Sequence, residues 1–151
     1  MEAEIMSSEA MREFGVRLGR VLKGGDVVEL VGDVGVGKTT LTKGIAAGMG
    51  IHADVQSPTF TISRVYEAHN GLALAHYDFY RLVDAGIMGA ELYESVHDAH
   101  MVTVLEWASI VAGVLPTDTL VIRLEPVTET SRMVRINAGG DRARMVLEQL
   151  R

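Results

Sequence analysis

From Ser7 onward, the apolar residues Met11, Phe14, Leu18 and Val21 recur at helical spacing, with charged residues in the gaps. That pattern predicts an amphipathic helix capped by Ser7 or Ser8 and ended by Gly24-Gly25. The rhythm then changes. "DVVELV" (26–31) is a short apolar run of the kind buried inside a sheet, and "KTTLTKGIAAGM" (38–49) returns to a helix, closed by Gly50. Gly44 and Gly48 share one face of that helix, each disfavoured by about 1 kcal/mol against alanine, so this face is expected to pack unusually close to the sheet. "TFTISRVYEA" (59–68) and "LALAHYD" (72–78) are strand-like and flank His69-Asn70-Gly71, where Asn-Gly accepts positive φ; they predict an antiparallel hairpin.

Residues 84–98 read as one or two short helices and "MVTVLE" (101–106) as an apolar strand ending in an acid. A further helix starts between Trp107 and Val114, before Pro116. Two alternating strands, "TLVIRLEP" (119–126) and "RMVRINA" (132–138), precede a terminal helix in "RARMVLEQLR". There is no internal repeat, linker or low-complexity segment. Strands interleaved with helices predict a three-layer α/β domain carrying antiparallel additions.

Between the first strand and the second helix, Gly32-Asp33-Val34-Gly35-Val36-Gly37-Lys38-Thr39 matches G-x-x-x-x-G-K-[ST] at every position. Glycines let backbone N–H groups turn inward around an oxyanion, and the following helix adds its positive end. Lys38 reaches the β and γ phosphates, and the Thr39 hydroxyl is suited to magnesium. The fold class is therefore α/β, a P-loop NTPase-like three-layer domain with a mixed parallel/antiparallel sheet, one domain over residues 1–151. Such a loop needs an acid at the end of a neighbouring strand to hold the metal directly or through water. Glu106 ends "MVTVLE", where this architecture usually has aspartate, and Asp78 ends "LALAHYD". No Asn-Lys-x-Asp element for guanine is present, which favours ATP. Ser57-Pro58-Thr59 is either a simple turn or a switch segment sensing the γ phosphate. His52, His69, His97 and His100 have no partners at ligand spacing, and His76, within a strand, reads as structural.

Bulk properties narrow the function further. The 151 residues are 48% hydrophobic and 23% charged, as in ordinary globular proteins. The absence of cysteine excludes disulfides and thiolate metal sites. No run approaches the roughly 18 apolar residues of a membrane span, and the acidic N-terminal stretch is unlike a secretory signal, so a cytoplasmic location is expected. A net charge of -6 argues against a general nucleic-acid surface, and direct DNA binding is not expected. The imbalance is uneven: residues 1–111 hold 15 acids and 8 bases, whereas residues 112–151 hold 5 and 6. Arg132, Arg135, Arg142 and Arg144 in that tail form either a solvated face or a nucleotide or partner contact.

"GDVGVGKTTLTKG", "SPTFTISRVYE", "HYDFYRL" and "LEW", in this order and at these separations, resemble the TsaE (formerly YjeE) family of ATPases in bacterial tRNA threonylcarbamoyladenosine biosynthesis. The resemblance spans roughly residues 7–139. It implies that Gly35, Val36, Gly37, Lys38, Thr39 and Thr40 hold the triphosphate of ATP, and that Thr39 and Glu106 bind Mg2+. It also implies that Asp78 is needed for hydrolysis alongside Lys38 and Glu106, and that Ser8 and Arg132 contact the nucleotide. The implied partners are TsaB and TsaD, which modify an adenosine beside the anticodon; tRNA is met indirectly through that complex. The family commonly has leucine and alanine where Val34 and Val36 stand, and "VDAGIMGAELYESVHDAHM" follows it only in outline. Two other readings fit the residues. One is a P-loop small-molecule kinase, against which stands the lack of an arginine-bearing lid between Asp78 and Glu106. The other is a nucleotide-dependent binding module with incidental hydrolysis.

Overall fold

A computed structural model describes residues 1–151. The elements run β1 (Glu2–Ile5), α1 (Ser8–Val21), β2 (Val27–Val31), α2 (Lys38–Gly48), β3 (Ser63–Glu67), β4 (Ala73–Asp78) and α3 (Gly86–Val96). They continue through β5 (Met101–Glu106), a 3-10 segment (Ala108–Val114), β6 (Leu120–Pro126), β7 (Arg132–Ala138) and α4 (Asp141–Leu150). One seven-stranded sheet has the order β1-β7-β6-β2-β5-β4-β3. Its four central strands are parallel, β7 and β1 extend one edge antiparallel, and β3 closes the other edge antiparallel to β4. The sheet is mixed as the sequence predicts, and no helix is long and apolar enough to cross a membrane.

Strand alternation sorts the core into two sides. Val28 and Leu30, Val102 and Val104, and Ile122 and Leu124 face α1, α2 and α4. Val27, Ala75, Tyr77 and Leu105 face α3 and the 3-10 segment. Leu30 pairs with Glu106, and Asp78 also pairs with Glu106. The carboxyl ends of β2, β5 and β4 are thus level with one another, at the edge where open α/β sheets bind ligands.

The close approach expected at Gly44 and Gly48 exists, but its partner is α1 and not the sheet. A Cβ at Gly44 would stand 2.2 Å from the Arg12 carbonyl oxygen, and one at Gly48 2.2 Å from that of Val16. Gly15 and Gly19 return the contact: Cβ atoms there would lie 2.5 Å from Leu41 O and 2.1 Å from Ile45 O. Two glycine pairs at i,i+4 spacing let the helix backbones touch, which docks the start of α1 beside the glycine loop. Gly44→Ala is expected to lower the unfolding free energy by roughly 1–3 kcal/mol, because backbone cannot yield as a side chain does. Gly113→Ala, with nothing within 4 Å of the new Cβ, should stay within about 0.5 kcal/mol. Urea denaturation of the two variants checks this, and equal midpoints would contradict it.

Three other readings need correction. β1 was not anticipated; its four residues form only an edge pairing with β7. Residues 59–62 are not strand: Ile62 N–H donates to the Pro58 carbonyl at 2.6 Å, and Ile62 itself has φ 68. The stretch after β5 is 3-10 rather than α-helical and begins at Ala108, because Trp107 has φ 56. The Asn70-Gly71 hairpin is as expected, with Gly71 at φ 81.

Candidate functional site

The loop between β2 and α2 is a concave run of unbonded amides. The N–H groups of Gly35, Gly37, Lys38, Thr39 and Thr40 find no acceptor within the chain, and α2 has no side-chain cap. Gly35 and Gly37 hold φ 80 and 116, which glycine alone adopts without strain. A Cβ at Gly35 would project into open space. An uncapped helix N-terminus behind inward-facing amides attracts anions. The Val36 side chain is buried in the core, so its bulk is taken up there.

The acids converge on the same loop. Glu106 and Asp78 are both buried and, with Gly35, Gly37, Lys38, Thr39 and Thr40, line a cavity of about 310 Å³. Asp78 Oδ2 accepts from the Thr59 hydroxyl at 3.2 Å and the Ser57 hydroxyl at 3.5 Å, while Oδ1 accepts from Tyr80 N–H at 3.0 Å. The Lys38 ammonium is drawn back onto the strand ends. It donates to the Gly32 carbonyl at 2.5 Å, sits 3.6 Å from Glu106 Oε1 and lies 4.2 Å from the Trp107 ring centroid. Trp107 has a left-handed backbone, and its indole also packs against the Tyr80 ring, 4.9 Å between ring centroids.

A second cavity, about 270 Å³, adjoins the first through Gly35, Gly37 and Thr40. Ser8, Val36, Glu129, Thr130 and Arg132 line it. Ser7, not Ser8, caps α1 by accepting from Ala10 N–H at 3.0 Å, which leaves the Ser8 hydroxyl uncommitted. Arg132 is pinned to the loop, Nε donating to the Val36 carbonyl at 3.0 Å.

A family model described as threonylcarbamoyl adenosine biosynthesis protein TsaE matches residues 5–134. The chain belongs to the TsaE family. It is 40% identical over 127 residues to the tRNA threonylcarbamoyladenosine biosynthesis protein TsaE of Streptomyces coelicolor, covering 83% of this chain and 86% of that one. It is 38% identical over 133 residues to the Treponema pallidum protein of the same description, covering 86% and 95%. The crystal structure of Bacillus subtilis YdiB superposes with a TM-score of 0.82 at 31% identity, covering 99% of this chain and 93% of that one.

In this TsaE-family chain every site residue expected from sequence lines one of the two adjoining cavities. Of the four clustered arginines, only Arg132 does so. Arg135 pairs with Glu2 and Glu125, Arg142 with Asp26, and Arg144 with Asp141. Tyr80 and His76 fall within the "HYDFYRL" motif, but the sequence alone gives Tyr80 no role in the site and reads His76 as structural; Glu129 and Thr130 belong to no motif. His76 is fully buried, with Nε2 2.9 Å from Glu106 Oε2 and Nδ1 lacking any partner. Its position two residues before Asp78, hence on the same strand face, was the signal available.

Proposed function

We propose that the chain is a magnesium-dependent ATPase that serves tRNA threonylcarbamoyladenosine biosynthesis through TsaB and TsaD. One observation carries the reading: a loop of unbonded amides, one lysine ammonium, a hydroxyl and two buried acids share a single cavity. The oxygen donors Thr39, Glu106 and Asp78 fit a hard divalent cation, and Thr39 with Glu106 would hold it. Bound there, magnesium would neutralise charge on the phosphate oxygens. The chain's own groups do the remainder. Loop amides from Gly35 to Thr40 bind the triphosphate of the substrate, and Lys38 leaves Gly32 and Glu106 for the phosphates. Asp78, fixed by three donors, keeps acceptor capacity to orient the attacking water. The nucleoside end of ATP lies in the adjoining cavity, between Ser8 and Arg132.

Water must be excluded for efficient turnover, yet Arg81 is the only base between Asp78 and Glu106 and no lid carries an arginine to the phosphates. Phe60, next to Thr59 and 84% exposed with Arg81 stacked over it, leaves apolar surface at the rim for a partner to cover. The isolated protein is therefore expected to release phosphate slowly and to be accelerated by TsaB with TsaD. Phosphate release measured with and without both partners tests this. A rate already fast alone and indifferent to them, or phosphate passed to a small acceptor, would contradict the proposal.

A further inference from the structure

We propose that His76 is a positioning residue for Glu106: it holds one carboxylate oxygen and thereby presents the other to the phosphate cavity. The inference rests on the proposed role of Glu106 in holding magnesium. In the parallel pair of β4 and β5, His76 stands opposite Val104 and Asp78 opposite Glu106. Alternation puts His76, Asp78 and Glu106 on the face that carries the glycine loop. His76 therefore lies one step behind Glu106 and reaches it diagonally, with Nε2 at 2.9 Å from Oε2. The other oxygen, Oε1, is the one that faces Lys38 at 3.6 Å.

The chemistry fixes the direction of that bond. A carboxylate accepts, so Nε2 carries the proton of that bond. The other ring nitrogen, Nδ1, is buried without a hydrogen-bond partner. A leucine of comparable size would fill the space without burying an unpaired nitrogen, so packing alone does not account for an imidazole here. What the ring supplies is the bond to Glu106. With Oε2 committed to His76, Glu106 cannot turn both oxygens onto Lys38. Lys38 keeps only one loose contact to the carboxylate, at 3.6 Å, which it can exchange for phosphate, and Oε1 stays aimed at the cavity. Outer partners of this kind orient a ligand without touching the metal.

The test is calorimetric titration of the full chain with ATP, with and without magnesium, for wild type, Glu106→Ala, His76→Leu and His76→Gln. The glutamine amide reaches the place of Nε2 and can donate the same bond. His76→Leu is expected to lose about 10–100-fold of the magnesium-dependent gain in affinity, with magnesium-free affinity unchanged and His76→Gln close to wild type. If the leucine variant does not fold, His76→Asn, whose amide stops near the Nδ1 position, is expected to show the same loss. Full magnesium dependence in His76→Leu or His76→Asn would overturn the inference, as would equal loss in His76→Gln. If Glu106→Ala also keeps full magnesium dependence, the proposed role of Glu106 fails, and this inference fails with it.

Discussion

Lys38→Ala is expected to abolish useful ATP binding while leaving the loop standing. The ammonium is the only side-chain cation in the phosphate cavity, and it is not what shapes the loop: positive φ at Gly35 and Gly37 and the burial of Val36 do that. Glu106, deprived of Lys38, keeps its bond from His76, so the folded state should survive. Hydrogen bonds to charged groups contribute roughly 1.5–3 kcal/mol each, so losing the lysine's contacts to phosphate should weaken binding about a hundredfold or more. Isothermal calorimetry with MgATP reads this directly. Unchanged affinity would remove the phosphate-loop reading altogether.

Much of this site was legible in the sequence because its parts are local. The glycine loop needs particular residues at fixed offsets, and an acid at the end of an apolar strand lands at the sheet's carboxyl edge wherever the strand is placed. Asn70-Gly71 likewise encodes its own turn. What escaped depends on register between distant segments. Gly15 and Gly19 look merely weak for a helix until Gly44 and Gly48 of α2 are set against them. Thr59 to Ile62 carry strand-forming residues, yet Ser57 and Thr59 give their hydroxyls to Asp78, nineteen or more residues away, and the ladder starts only at Ser63. The bond from His76 to Glu106 follows from a pairing offset between β4 and β5 that no single segment specifies.

The two acids are expected to do different work. Glu106 lies between Lys38 and His76 with Oε1 toward the loop, and Glu106→Ala should weaken magnesium-dependent nucleotide binding. Asp78, beside Glu106 on the neighbouring strand, is held by Thr59, Ser57 and the Tyr80 amide, a geometry suited to orienting water. Asp78→Asn keeps the shape and removes the charge. Hydrolysis should then fall about a hundredfold or more, the scale of an acid–base or water-positioning contribution, with binding nearly intact. The most direct measurement takes kcat with TsaB and TsaD present, and Kd for ATP with and without magnesium, on one preparation of Asp78→Asn. The expected result is a collapse of kcat at unchanged Kd and unchanged magnesium dependence; turnover at the wild-type rate, or loss of magnesium dependence in this variant, would contradict the account.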